Sequence, residues 1–216
     1  MPQANVIHWR EGHGWLVLSG GGDFHSADVG EIEAEALARV RSGDPVAYVW
    51  AAGDIETADS HLAALDDLGA PTGYLVDILT EDDDTLREQL SVAGLIVLGD
   101  GPNVGTLRSA LPGGALDGIT HAFEDGAVIL GVGQSAAILG SILTGQDGLG
   151  WVEDAIIVPS YEENNQIEQL HDLLAKHPNA YGLGIATGSA LALGPDGKIE
   201  AWGKGQVTVT LGHNFT

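Results

Sequence analysis

Short apolar runs alternate with segments of helical periodicity along the first 130 residues, and this alternation limits the possible folds more than any other feature. The runs are typical of buried strands, and the segments between them space apolar residues as amphipathic helices do. The predicted strands are 15–18, 45–50, 73–78, 95–98 and 127–130, and the predicted helices are 31–41, 57–68, one capped by Thr80, 104–111 and 115–124. Strands joined by helices through short loops predict a mostly parallel sheet covered on both faces.

The pattern changes after residue 150, where strands dominate. The predicted elements are a strand at 151–158, a helix at 165–176, strands at 182–185 and 190–193, a turn at 194–197, and closing hairpin strands at 199–202 and 207–211. No break in composition divides the chain, so we expect one domain over residues 1–216. The predicted fold is a three-layer α/β sandwich with a mostly parallel central sheet and a C-terminal β-hairpin.

The charge balance restricts the partners. With 8 Lys and Arg against 31 Asp and Glu, the net charge of −23 argues against nucleic acid and anionic membranes. It is compatible with cationic ligands, and the alternative is a solvated acidic surface. The absence of cysteine excludes disulfides, thiolate zinc sites and a cysteine nucleophile. The N-terminus does not read as a signal peptide, and no apolar run is long enough to span a membrane, so we expect a cytoplasmic protein. We predict no cofactor and no metal ion, and leave a homodimer open.

The stretch 126–143 predicts a strand, a glycine-rich corner and then a helix. We place Ser135 at the corner, where its hydroxyl would stand out from the backbone and face the free N–H groups of the helix. Gly133-Gln-Ser135-Ala-Ala137 resembles the nucleophile elbow G-x-S-x-G, with alanine in place of the second glycine. The alternative is an ordinary turn of small residues.

Several segments together resemble the peptidase E and cyanophycinase family of serine peptidases. They are the glycine loop 20–22, the segment 93–103 with Leu107 and Leu111 after it, the elbow 133–137, the segment 181–191, and 195–197 through 207–209. The resemblance covers nearly the whole chain. It implies the sandwich fold of the class I glutamine amidotransferase-like superfamily, which is flavodoxin-like.

The resemblance also implies roles for individual residues. Ser135 would be the nucleophile, and the backbone N–H groups of Gly101 and Ala136 would form the oxyanion hole. The residues expected to bind substrate are Gly21, Gly22, Asp100, Asn103, Gln134, Ser160 and Tyr161.

This sequence lacks the residues that assist the serine nucleophile in the family. Ser160 stands where the family has its histidine in D-Q-H-F-S-x-R-x-R-L, and Asn164 and Gln166 replace the two arginines of that segment. Ala186-Thr187 replaces the acidic pair. A serine without a base is an ordinary alcohol at pH 7. Loss of the arginines removes bidentate recognition of carboxylates, so a preference for acidic substrates does not transfer to this chain.

We therefore expect a divergent, weak or inactive peptidase that binds a small peptide or an amino-acid-like ligand. The first alternative is an active serine hydrolase on small peptides, with His25 or His171 as a relocated base. A structural or assembly protein is the second, and an α/β-hydrolase with His213 as its late histidine is a weaker one. Absence of cysteine excludes a glutamine amidotransferase.

Asp23, Asp54 and Asp100 each follow a predicted parallel strand, so the three carboxylates are expected at the same edge of the sheet. They would repel one another unless a cation, a cationic substrate or a proton relieved the repulsion. The alternative is that each aspartate caps a helix or a turn.

Overall fold

The computed structural model describes residues 7–162 and 164–215, so residues 1–6, 163 and 216 of the predicted single domain lie outside the described residues. The strands are β1 (Trp15–Ser19), β2 (Val46–Val49), β3 (Gly73–Val76), β4 (Leu95–Leu98), β5 (Val128–Gly131), β6 (Ile142–Leu143), β7 (Gln146–Asp147), β8 (Ala155–Pro159), β9 (Tyr181–Ile185), β10 (Ser189–Leu193), β11 (Ile199–Gly203) and β12 (Val207–Leu211). The helices are α1 (Ala27–Leu37), α2 (Ile55–Asp67), α3 (Asp83–Ser91), α4 (Val104–Ala110), α5 (Gly114–Glu124), α6 (Gln134–Ala137) and α7 (Asn164–Lys176), and Pro195–Gly197 form a 3₁₀ turn.

The larger sheet has seven strands in the order β11-β10-β1-β5-β4-β2-β3. The five strands from β1 to β3 in this order are parallel, whereas β10 and β11 run antiparallel at one end. The mostly parallel central sheet predicted from the sequence is therefore confirmed. The parallel strands share one carboxyl-terminal edge, where ligands bind in folds of this kind.

Side chains alternate between the two faces of this sheet. Val17 of β1 packs in the core beneath α1 and α2, with Ile32 and Leu65. Leu16 and Leu18 point to the other face, which α3, α4 and α5 cover together with a second sheet. The fold is thus the layered α/β sandwich that the alternation of runs predicted.

The second sheet has five strands in the order β12-β9-β8-β6-β7, with β8 and β9 parallel. Helix α7 covers its outer face through Leu170 and Leu174. A C-terminal hairpin is present, formed by β10 and β11 around the 3₁₀ turn. The predicted hairpin between 199–202 and 207–211 is wrong, because β11 joins the large sheet whereas β12 pairs with β9 in the small one.

Capping side chains decide where the helices begin. Helix α1 starts four residues before its predicted position, because the hydroxyl of Ser26 accepts a hydrogen bond from the N–H of Val29. Asp82, not Thr80, caps α3 by accepting from the N–H groups of Asp84 and Thr85. In the described part of the chain, no helix has both the length and the apolar character required to cross a membrane.

Candidate functional site

The turn from β5 into α6 is strained at Gly133. This residue has φ 53° and ψ −127°, a backbone conformation that residues with a Cβ rarely adopt. In a nucleophile elbow, the nucleophile stands at the strained residue of the strand-to-helix turn. The structure therefore puts a glycine at that position, two residues before Ser135.

Ser135 lies inside α6 and is 0% exposed. Its hydroxyl donates a hydrogen bond of 2.5 Å to the carbonyl oxygen of Gly99 at the end of β4. The prediction that Ser135 stands at the corner with its hydroxyl lifted out is wrong, because the sharp turn comes earlier. This hydrogen bond instead connects α6 to the neighbouring strand.

The carboxylate of Asp100 occupies the space beside Gly133. A Cβ placed on Gly133 would lie 2.2 Å from Oδ2 and 2.4 Å from Cγ of Asp100. Gly21, with φ 79°, packs from the glycine loop after β1, and a Cβ there would lie 3.0 Å from the Cα of Gly133. Asp100 thus fills the volume that a nucleophilic side chain would need.

Two backbone N–H groups converge on the same carboxylate oxygen. Gly101 and Gln134 each donate to Oδ1 of Asp100 at 2.8 Å. In an elbow, the oxyanion hole combines the N–H of the residue after the nucleophile with one from another loop, and Gln134 and Gly101 hold those places relative to Gly133. The N–H of Ala136, which we predicted as a donor, bonds to the carbonyl of Gly133 within α6 and is not available.

The other two aspartates have separate partners. Asp23 accepts the N–H of His25 in a turn, and Asp54 caps α2 through the N–H and the hydroxyl of Thr57. Within 7–162 and 164–215, no group of three or more His, Asp and Glu side chains is placed to hold a metal ion. The three carboxylates therefore do not form a metal site, and the capping alternative holds for Asp23 and Asp54.

Neither histidine considered as a relocated base bonds to Ser135. His25 and His171 are exposed, the first on the loop before α1 and the second on α7. The hydrogen-bond partner that the described residues offer the Ser135 hydroxyl is the Gly99 carbonyl. A carbonyl oxygen accepts a hydrogen bond but cannot act as a general base.

The remaining predicted binding residues contact loops and strands outside the turn from β5 into α6. Ser160 has φ 50°, and its hydroxyl donates to the carbonyl of Gly20 at 3.3 Å. The ring of Tyr161 packs against Gly184 in β9. Gly22 and Asn103 are exposed, and Asn103 precedes α4, where its N–H donates to the carbonyl of Ala52.

A buried chain of polar side chains lies beside the elbow. The Tyr48 hydroxyl is 2.9 Å from Nδ1 of His61, and Nε2 of His61 is 2.5 Å from Oε1 of Glu33. Tyr48, His61 and Glu33 are 3%, 3% and 1% exposed. The ring of Phe24 stacks on His61 with centroids 4.6 Å apart. Burial is the main cause that raises the pKa of Tyr48 above its ordinary value. The negative charges of Glu33, Asp100 and Asp54 raise this pKa further.

Two cavities flank the elbow. One of about 260 Å³ is lined by Tyr48, His61 and Asp100 among others, and one of about 180 Å³ is lined by Gln134, Pro159 and Gln166 among others. Both open beside the strand ends where the fold predicts a ligand.

Similarity to known proteins agrees with this fold. The family model described as Peptidase family S51 matches residues 16–200, which is most of the chain. The chain belongs to peptidase family S51. The resemblance to peptidase E and cyanophycinase that the sequence motifs indicated is thereby confirmed.

This S51 chain is also similar in sequence to curated relatives and in fold to solved structures. It is 28% identical over 127 residues to the cyanophycinases of Trichormus variabilis and a Nostoc species. Each match covers 56% of this chain and 42% of the cyanophycinase, so it spans less than half the length of those relatives. A peptidase from an acI-B1 Actinobacterium has a TM-score of 0.74 at 18% identity, covering 94% of this chain and 93% of the other. A putative peptidase E from Listeria monocytogenes has a TM-score of 0.65 at 20% identity, covering 92% and 98%.

Sequence reasoning on this S51 chain missed the buried chain of Glu33, His61 and Tyr48. A signal for it was present, because Glu33 falls between Ile32 and Ala36 on the buried face of α1. His61 similarly falls on the buried face of α2. An ionisable residue at an apolar position of a helical period indicates either a buried partner or a site.

Proposed function

We propose that this member of peptidase family S51 is a ligand-binding protein that does not turn over peptides. It keeps the scaffold of a serine peptidase and binds a small peptide or an amino-acid-like ligand at the carboxyl-terminal edge of the sheet. The observation that carries this proposal is the pairing of Gly133 with Asp100, in which a glycine holds the strained position and a carboxylate fills the space beside it.

The missing nucleophile removes the first step of acyl transfer. Serine peptidases form a bond between a side-chain oxygen at the elbow and the scissile carbonyl, and glycine has no such atom. Ser135 is a poor substitute, since its hydroxyl is buried and donates to the Gly99 carbonyl.

The occupied oxyanion donors remove the second requirement. A tetrahedral intermediate needs the two N–H groups that now bind Oδ1 of Asp100. A developing oxyanion would have to displace that carboxylate, and the two negative oxygens repel each other. A site already filled by the protein's own anion argues against turnover.

The rival function is an active serine hydrolase, and membership of the peptidase family favours it. It requires Ser135 to leave its bond to Gly99 and a base such as His25 or His171 to approach. A purely structural role is the other rival, and the two cavities beside the elbow count against it.

Peptide turnover tests the proposal. The protein is incubated with a panel of dipeptides covering acidic, basic and apolar residues, and release of amino acids is measured by mass spectrometry. The proposal predicts equal release from the native protein, from Ser135→Ala and from buffer. Release by the native protein that is lost in Ser135→Ala would show that the chain is a hydrolase.

A further inference from the structure

We propose that the cavity of about 260 Å³ beside Asp100 binds a small organic cation, with its ammonium group facing Tyr48 and Asp100. This inference rests on the proposed function and names the ligand class for the strand-end site. It draws on Tyr48 and His61, which the elbow does not use, together with Asp100 of the elbow.

The wall of the cavity is a built polar site. Tyr48 and His61 line it, and Glu33 stands behind His61 as the end of the hydrogen-bonded chain. These side chains come from β2, α2 and α1, so three separate elements meet to form it. Burying such a chain costs desolvation that well-packed apolar residues would avoid, so stability alone does not account for it. Oε2 of Glu33, buried and without a hydrogen bond from the described residues, adds to that cost.

The hydrogen bonds leave the Tyr48 oxygen free to accept. Among the described residues, Nδ1 of His61 is the partner within reach of the Tyr48 hydroxyl. We assign the ring proton of His61 to Nε2, where Glu33 accepts it, and in this tautomer Nδ1 accepts a hydrogen bond from the Tyr48 hydroxyl. The lone pairs of the Tyr48 oxygen remain available to a donor from the cavity.

The cavity offers acceptors and negative charge. Oδ2 of Asp100 receives no hydrogen bond from the described residues, whereas Oδ1 receives two. Asp54 adds a second carboxylate to the lining, and no Lys or Arg stands among the described residues that line the cavity. The ligand must therefore bring hydrogen-bond donors and positive charge, as an ammonium group does.

The apolar part of the lining fits a carbon skeleton. Phe24, Val29 and Val132 line the cavity, and the ring of Phe24 lies parallel to His61 within 10°. An aromatic face attracts a cation as well as an alkyl chain. The volume is just below the range of about 300–1,000 Å³ for drug-sized ligands, so the cation is small.

Titration with simple amines tests the inference. The probes are n-butylammonium and 2-phenylethylammonium, with n-butanol and butanoate as neutral and anionic isosteres. Binding is followed through the imidazole NMR signals of His61 in the full chain. We expect saturable shifts with the ammonium probes, and affinities at least about tenfold weaker for the isosteres.

Matched variants separate local recognition from the overall negative charge. Tyr48→Phe removes the acceptor oxygen, and Asp100→Asn removes one charge at the cavity. Asp82→Asn removes the same charge at the start of α3, outside the cavity lining, and asparagine is an equally good cap. We expect affinity for n-butylammonium to fall at least about tenfold in Tyr48→Phe and Asp100→Asn and to stay unchanged in Asp82→Asn.

Three results would overturn the inference. They are equal affinity for n-butylammonium and n-butanol, equal weakening in Asp82→Asn and Asp100→Asn, and no saturable shift with either amine at millimolar concentration. Should Tyr48→Phe fail to fold, the comparison of Asp100→Asn with Asp82→Asn decides. Failure of amine binding without peptide turnover rejects the ligand class alone, whereas turnover that depends on Ser135 rejects the proposed function.

Discussion

The carboxylate of Asp100 stands against Gly133 so closely that a Cβ at position 133 would lie 2.2 Å from Oδ2. The same carboxylate accepts the N–H groups of Gly101 and Gln134. One side chain thus fills both the nucleophile position and the oxyanion position of an elbow. Glycine at 133 and aspartate at 100 are therefore best understood as a matched pair.

This pairing predicts a non-additive mutational effect. Gly133→Ala forces a Cβ into strained backbone and into the carboxylate, so we expect it to destabilise the protein by more than the roughly 1–3 kcal/mol of backbone strain alone. When Asp100 is also replaced by glycine, the clash disappears, and Gly133→Ala should then lower the free energy of unfolding only by the strain of roughly 1–3 kcal/mol. Urea unfolding measures both. Gly43→Ala is the matched control, since Gly43 has φ 94° and open space around it, and it should lose only the strain. If the losses of stability in Gly133→Ala and Asp100→Gly simply add in the double variant, the pairing is contradicted.

Ser135→Ala is expected to affect stability rather than chemistry. It leaves the buried carbonyl of Gly99 without its donor, which costs about 1–3 kcal/mol. Chemical unfolding measures the loss. The comparison variant is Ser109→Ala, whose exposed hydroxyl bonds to a carbonyl within α4 and whose change should stay within about 0.5 kcal/mol. Equal stability of Ser135→Ala and native protein would remove the structural role that we assign to Ser135.

Arg39 is expected to stabilise the antiparallel end of the large sheet. Its guanidinium lies 4.5 Å from the ring centre of Trp15 and 4.3 Å from that of Trp202, and it bonds to Glu200 at 2.6 Å. Lysine keeps the charge but loses the planar stacking, so Arg39→Lys should cost about 1 kcal/mol. Thermal unfolding at moderate salt measures this, because salt screens the charge common to both side chains. An unchanged melting temperature would contradict the stacking role.

Acid should destabilise the fold through its capping carboxylates. Hydrogen bonds from Thr57 to Asp54, and from Thr85 to Asp82, lower the pKa of each carboxyl below its ordinary value. Because each pKa is lower in the folded state, the stabilisation is complete above the unfolded value, near pH 4, and is lost as pH falls through the folded value.

The variant Asp54→Asn/Asp82→Asn tests this, since asparagine caps a helix without titrating in this range. The free energy of unfolding of this variant should fall less steeply than that of native protein on acidification below about pH 4. Parallel profiles would exclude these carboxyls as the cause.

The sequence predicted the layered sandwich because buried runs such as 45–50 and 95–98 determine strands locally. It misplaced the elbow because Gly133-Gln-Ser135 matches the first three positions of G-x-S-x-G, whereas β5 ends one residue later than predicted, at Gly131. The nucleophile position of the elbow therefore falls two residues after the end of β5, at Gly133, and not at Ser135. The pairing of β12 with β9 could not be predicted, because the separation into two sheets depends on contacts distant in sequence.

The buried chain was missed for the same physical reason. Tyr48 and His61 are 13 residues apart, and His61 and Glu33 are 28 apart, so only the folded arrangement of β2, α1 and α2 brings them together. Periodicity places each residue on a buried face but does not identify its partner. Asp100, whose side chain fills the elbow, was likewise expected to bind substrate from the family resemblance, and its contact with Gly133 became apparent only in the folded structure.

Covalent labelling tests the central claim most directly. The native protein is incubated with a fluorophosphonate, which reacts with activated serines, and intact mass is measured beside Ser135→Ala and a known serine hydrolase. The pairing of Gly133 with Asp100 predicts no adduct on the native protein under conditions that label the reference enzyme fully. A stoichiometric adduct on the native protein that is absent from Ser135→Ala would show that Ser135 is an active nucleophile and would contradict the account.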